Sequence, residues 1–343
     1  MMIRIGIVGY GYWGPNIVRN FFEAPGCEVV ALSDLVPERL ERAKARYPTL
    51  RTTTRYEDLL EDPEIDAVVV ATPVSSHFPL SAAALEAGKH VLVEKPMTAT
   101  LDEAKKLLDL AQKQKRVLMV DHTFVYTGAV RKIRDLIEEG QLGDLYYFDS
   151  TRVNLGLFQH DVNVIWDLAV HDLSIMDFVM PCRPIGVSAT GVSHLPGQPE
   201  NVAYVSLFFE GNMIAHLHVN WLAPLKIRRT LIGGSKKMIV YDDLEVSEKI
   251  KVYDKGVAIE KDPNKIHQML VGYRTGDMWA PQVPLSEALQ TEAQHFLKCI
   301  EGEETPIADG KAGLRVVAIL EAASLSAQER GRWVELDFGK AAQ

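Results

Sequence analysis

The sequence is poor in cysteine: three in 343 residues, Cys27, Cys182 and Cys299, with no C-x-x-C spacing. An odd number of distant cysteines excludes a disulfide framework and a cysteine zinc site. It leaves buried thiols in a reducing compartment as the expectation, and no metal is expected. Positive charge is also in deficit. Lys and Arg total 37 against 46 Asp and Glu, for a net charge of −9 at pH 7. That balance rules out a broad phosphate-binding surface, so nucleic acid is not an expected partner. A small anion can still be held at a helix N-terminus. No apolar run reaches the length of a membrane span. The apolar start IRIGIVG is interrupted by glycines and by Pro15 before a signal-peptide core could form. There is no internal repeat, low-complexity tract or long block of one charge. A cytoplasmic protein with no membrane association and about two domains is expected.

What is present has two rhythms. Up to about Asp121, short runs rich in Val, Ile and Leu (IRIGIVG, EVVALSD, DAVVVATP, HVLVEKP, VLMVDHT) alternate with stretches of helical spacing. Strand, helix, strand repeated in this way predicts a doubly wound parallel sheet, with Gly88 closing a helix. After Asp121, two helical stretches precede consecutive β-type runs: VSATGVSHL, VAYVSLFFEG, MIAHLHVNWL, IRRTLIGG and KKMIVYDD. Two more helices close the chain. The expected fold is α/β: a Rossmann domain over 1–121, then an α+β domain over 122–343. The second domain has a large, mostly antiparallel open sheet and a C-terminal helix free to pack back on the first domain.

Between the first strand and first helix lies GYGYWG, with Gly9, Gly11 and Gly14 in G-x-G-x-x-G spacing. The first glycine suits a tight turn, the second a close approach of backbone to a pyrophosphate, and the third close packing of helix on strand. Backbone N–H groups of Tyr12 and Trp13 are expected to face the pyrophosphate. Asp34 follows twenty residues after Gly14, at the end of the next strand, where a carboxylate binds ribose hydroxyls and repels a 2′-phosphate. The next residue is Leu35, not Arg, so NAD is expected over NADP.

Two further strand ends carry polar groups. Thr72-Pro73 with His77 suits a nicotinamide ribose or diphosphate, though the same segment reads as a turn with a serine cap. Glu94-Lys95-Pro96 places a lysine where burial is costly unless Glu94, a cofactor hydroxyl or a substrate oxygen binds it. Later, WDLAVHD sets Asp167 and His171 four residues apart, on one helix face. An imidazole suits removal of a hydroxyl proton near neutral pH.

Taken together, GYGYWG, Asp34, ATP-x-x-x-H, EKP and the Asp–His pair resemble the Gfo/Idh/MocA oxidoreductases along essentially the whole chain. The resemblance implies a cofactor site of Gly9, Gly11, Tyr12, Trp13, Gly14, Asp34, Thr72, Pro73, His77, Glu94 and Lys95. It implies catalysis by Lys95, Asp167 and His171, and a homo-dimer or homo-tetramer through the open sheet. The segments RVNLG, DVNVIWDL and GYRTGDMWAP resemble the members that oxidise nucleotide-activated N-acetyl sugars. They nominate Arg152, Asn154, Asp161, Asn163, Tyr273 and Arg274 as substrate-binding. The activity so implied is NAD-dependent oxidation at C3 of a UDP-N-acetylhexosamine. An inositol or simple hexose is the alternative substrate, and a non-catalytic dinucleotide sensor the alternative class. One departure stands out: Thr123 and Val125 occupy positions where many relatives carry Asn and Arg.

Overall fold

The computed structural model describes residues 2–156, 162–259 and 271–339. The chain forms two compact units. The first comprises 1–127, 286–318 and 338–343; the second comprises 128–285 and 319–337. The division thus falls six residues beyond the boundary expected at 121. Residues 286–318, expected in the second domain, count with the first.

The first unit is built on six strands: β1 (Ile3–Val8), β2 (Cys27–Ser33), β3 (Arg51–Thr53), β4 (Ala67–Val70), β5 (His90–Glu94) and β6 (Leu118–Asp121). Their order is β3-β2-β1-β4-β5-β6, with every pairing parallel. The winding reverses between β1 and β4, and open α/β sheets bind ligands outside the strand ends at that point. Strand β4 is fully buried along its length, as a strand covered on both faces must be. The linking helices are α1 (Gly14–Glu23), α2 (Pro37–Arg46), α3 (Glu57–Leu60), α4 (His77–Glu86) and α5 (Leu101–Gln114). Thr100 caps α5 by accepting from Glu103 N, and Gly88 takes φ +74° after α4.

The second unit contains α6 (Gly128–Glu138), β7 (Leu145–Leu155), α7 (Val170–Val179), β8 (Gly186–Val192), β9 (Val202–Phe208) and β10 (Ile214–Asn220). Next come β11 (Leu222–Gly234), β12 (Met238–Asp242), β13 (Ile250–Ile259) and β14 (Val271–Trp279). Helix α8 (Ala288–Glu301) belongs to the first unit, where Phe296 packs edge-on against Phe21 and His295 against Tyr126. Helix α9 (Gly310–Gln328) and β15 (Val334–Glu335) complete the chain. The nine-stranded sheet runs β14-β13-β12-β11-β7-β10-β9-β8-β15. It is antiparallel except for β7 beside β10. Alternation is clean on β10, where Ala215, Leu217 and Val219 are buried while Ile214 and His216 face outward.

All three cysteines are free, but Cys182 is exposed and Cys27 only half-buried, so the expectation of buried thiols holds only for Cys299. Among the described residues no helix is long and apolar enough to cross a membrane.

Candidate active site

In the first unit the three glycines have separable roles. Gly9 has φ +101°, and a Cβ there would lie 2.2 Å from Ala71 O. A Cβ on Gly14 would lie 2.4 Å from Gly9 O. These two are committed to the turn and to packing the helix on it. Gly11 differs: the nearest atom to its would-be Cβ is Arg39 Nη1 at 3.9 Å, leaving its backbone approachable. Helix α1 begins at Gly14 with Pro15 in its first turn, and Trp13 supplies no side-chain cap. Pro15 has no N–H and Asn16 N already donates to Trp13 O at 2.9 Å, so it is the open side of Gly11, in the loop before the helix, that fits the approach of a pyrophosphate. Tyr12 is 89% exposed.

Asp34 follows β2 and is buried. Oδ2 accepts from Tyr10 N at 2.7 Å and Oδ1 from Val36 N at 2.8 Å. Arg39, in the first turn of α2, places Nη1 3.4 Å from Oδ2 and 3.5 Å from Oδ1. Sequence reading weighed only Leu35 as a phosphate partner and missed this arginine, which helical geometry returns to the acid five residues on.

At the ends of β4 and β5, the structure ties two predicted segments together. Ser76 Oγ donates to Pro73 O at 2.7 Å and lies within hydrogen-bond distance of Thr72 Oγ1, at 2.8 Å. His77 lies 1% exposed, with Nδ1 2.8 Å from Pro96 O and Nε2 2.7 Å from Thr72 O. His77 thus lies between the two turns, and the one N–H of the neutral ring donates to one of these two carbonyls at a time. Burial, partly offset by the two carbonyls, pulls its pKa down. Lys95 is half-buried just beyond β5, preceding a cis proline. Glu94, paired in register with Asp121, has its pKa pushed well up by burial and then by Asp121. By surface area Glu94 is half-buried, like Lys95.

In the second unit, Asp167 lies in a single π turn, Ile165–Ala169, which runs directly into α7 carrying His171. Such wider turns recur at functional positions. Trp221 Nε1 donates to Asp167 Oδ2 at 3.0 Å. Trp221 is 1% exposed, and no signal in its sequence context, HVNWL, distinguishes it from an ordinary core residue. The pair therefore shares one turn, with the acid held from behind and both residues half-buried.

The substrate candidates scatter. Arg152 is 3% exposed and makes a two-pronged ion pair with Asp172, Nε to Oδ2 at 2.9 Å and Nη2 to Oδ1 at 3.0 Å. The inward face of β7 carries it, and this ion pair gives it an internal role. Asn163 is also spent on structure. Its Oδ1 accepts from Ile165 N and Trp166 N, both at 3.1 Å, capping the turn that carries Asp167, and its Nδ2 donates to Glu200. Asn154 is half-buried near the end of β7. Asp161 lies outside the described residues. Tyr273 and Arg274 lie on β14, with Arg274 paired to Asp254 at 2.9 Å. Four strand steps separate β14 from β7, roughly 19 Å at about 4.8 Å per step.

Comparison with known proteins agrees with this architecture. Residues 3–122 match the family model described as "Oxidoreductase family, NAD-binding Rossmann fold" of GFO_IDH_MocA. Residues 130–240 match the corresponding C-terminal domain. The oxidoreductase YdgJ of Escherichia coli is 31% identical, over 72% of this chain and 73% of its own. A UDP-N-acetylglucosamine 3-dehydrogenase of Acidithiobacillus ferrooxidans is 27% identical, over 92% of this chain and 94% of its own. Its solved structure superposes with a TM-score of 0.80, covering 96% of this chain and 99% of that one. The NADP-dependent scyllo-inositol 2-dehydrogenase IolW of Bacillus subtilis is 26% identical, over 96% and 94%.

Proposed function

The chain belongs to the Gfo/Idh/MocA oxidoreductase family, and on that premise we propose that it oxidises a sugar hydroxyl, C3 of a UDP-N-acetylhexosamine, with NAD as hydride acceptor. The observation that carries the chemistry is Asp167 and His171 on one turn, with Asp167 held by Trp221. Bound NAD would supply a nicotinamide carbon that accepts hydride from the sugar C–H. The protein supplies the rest. His171 takes the hydroxyl proton as general base, and Asp167 stabilises the resulting imidazolium. Lys95 stabilises negative charge developing on the same oxygen. One C–H and one O–H bond break, and the products are a keto-sugar, reduced cofactor and a proton.

The nucleotide-sugar assignment is supported by similarity to the UDP-N-acetylglucosamine 3-dehydrogenase over nearly the whole chain. Similarity to IolW, of the same extent, favours an inositol as the second reading. The same relative and the placement of Arg39 favour NADP as a second cofactor. We also propose self-association through the open face of the large sheet, where Tyr204 is 46% and Ile214 43% exposed. Light scattering on the purified chain would show a dimer or tetramer, or a monomer that removes this reading.

The deciding experiment incubates the protein with NAD or NADP and a panel of UDP-sugars, inositols and hexoses while reduced nicotinamide is followed. Turnover on UDP-N-acetylhexosamines is expected. Turnover on inositols alone would sink the nucleotide-sugar assignment, and silence throughout would favour a dinucleotide sensor. With the active substrate, Lys95→Met and His171→Ala should each lower kcat at least about a hundredfold while cofactor still binds. Normal turnover by either variant would remove that residue from the mechanism.

A further inference from the structure

Three acids meet below the carboxyl ends of β5 and β6. Glu94 and Asp121 are register partners across these strands. Glu292 reaches them from α8, among the buried residues Leu289, Ala293 and Phe296. Asp121 is 1% exposed and Glu292 0%. Both oxygens of Asp121 are occupied: Oδ2 accepts from Trp13 Nε1 at 3.2 Å and Oδ1 from Thr123 Oγ1 at 2.5 Å. Glu292 is different in kind. Among the described residues no N–H or O–H group donates to either of its buried oxygens. Asp121 stands against it, with Glu94 beyond.

A buried carboxylate that has neither donor nor cation costs several kcal/mol. A bound metal ion is one remedy, but among the described residues no cluster is arranged to hold one. A proton is the other. It neutralises the acid and gives it the one donor that the neighbouring carboxylate can accept.

We propose that Glu292 is a positioning residue that keeps its proton at neutral pH and donates it to Asp121, so that Asp121 holds the Trp13 indole and with it the glycine loop in its NAD-binding form. This rests on the reading of the loop as a dinucleotide site. Trp13 immediately precedes α1, so the bond from its indole to Asp121 anchors the segment meant to face the pyrophosphate. The acids facing Glu292, Asp121 from β6 and Glu94 from β5, both oppose its ionisation. Lys95 acts on Glu94, its chain neighbour. On α8 itself, His295 is turned away to Glu304 at 2.7 Å. Burial first, then Asp121, pushes the pKa of Glu292 well above the ordinary carboxyl range. The sign follows. A carboxyl with a raised folded-state pKa favours folding fully below its unfolded value of about 4.3, and that contribution is lost as pH rises through the folded value.

The test compares wild type with Glu292→Gln, which keeps a donor but cannot ionise, and Glu292→Met, which has neither property. Melting temperature without cofactor and NAD affinity by calorimetry are each followed from about pH 5 to about pH 9. Glu292→Gln should match wild-type affinity within about twofold at the acid end, and then hold it where wild type weakens by about tenfold. The melting temperature of Glu292→Gln minus that of wild type should rise with pH. Glu292→Met should bind NAD poorly throughout. Identical pH profiles for wild type and Glu292→Gln would overturn the proposal. So would a Glu292→Gln variant as weak at low pH as Glu292→Met. A wild type that binds neither NAD nor NADP would instead refute the dinucleotide reading. The melting profiles would still report whether Glu292 holds its proton.

Discussion

Trp221 donates its indole N–H to Asp167 at 3.0 Å from a position almost fully enclosed by the protein. This bond orients the acid that precedes His171 by one turn. A hydrogen bond to a charged group contributes about 1.5–3 kcal/mol. Trp221→Phe, which removes the N–H while keeping an aromatic ring, is therefore expected to lower kcat by about tenfold or more. KM should change little. Steady-state kinetics beside a melting curve would check this. A variant that only melts earlier, with unchanged kcat, would make Trp221 a packing residue.

The buried Arg152–Asp172 pair carries the opposite expectation. Removing one partner of such a pair strands a charge in the interior and costs about 3–5 kcal/mol, whereas replacing both with apolar groups is often nearly neutral. Arg152→Leu and Asp172→Leu should each lower unfolding free energy by that amount, and the double variant by distinctly less. Denaturant titration of the three variants reads the result directly. If Arg152→Leu instead left stability intact and raised KM, the substrate contact would be restored.

That reversal shows what the sequence made legible. The Rossmann half was readable because its strands are buried on both faces and its turns carry glycine, so each local signal agrees with the fold. Strand β7 was harder. LYYFDSTRVNL places Arg152 on the inward face, and a charge at a buried position breaks the apolar alternation that marks a strand. Strand β3, with three residues, is too short to show a period. The return of residues 286–318 to the first unit is a matter of packing by Phe296 and His295, and helical spacing alone does not say which core a helix joins. In the site, motif residues were visible because their spacing is local. Arg39 is local to Asp34, five residues on, but belongs to no motif, whereas Trp221, Asp121 and Glu292 act on neighbours through three-dimensional contact and carry no spacing of their own.

Gly9 and Gly11 belong to one motif but should fail differently. Gly9→Ala forces a side chain into φ +101° with its Cβ 2.2 Å from a carbonyl oxygen, so lost stability is expected, of about 2 kcal/mol or more. Gly11→Ala meets only the end of Arg39 at 3.9 Å and should fold normally. Its added methyl stands where the pyrophosphate must approach, and NAD affinity should fall at least about tenfold. Melting curves and NAD titrations on both variants separate the cases. Unchanged NAD binding by Gly11→Ala would place the cofactor elsewhere.

Cofactor choice turns on Asp34 and Arg39 acting against each other. Asp34 offers a carboxylate to ribose hydroxyls, but Tyr10 N, Val36 N and Arg39 already approach it. The Arg39 side chain is 41% exposed at that contact and carries the charge that a 2′-phosphate requires. Asp34→Ala should therefore weaken NAD more than NADP, because it removes the hydroxyl acceptor while relieving repulsion of the phosphate. Arg39→Ala should do the reverse, lowering kcat/KM for NADP by about tenfold and leaving NAD within a few-fold. The ratio of kcat/KM for the two cofactors, measured for wild type and both variants, reports each effect apart from general damage to the site. Parallel losses for NAD and NADP in Asp34→Ala would show that this carboxylate supports the loop through Tyr10 and Val36 and does not read the ribose.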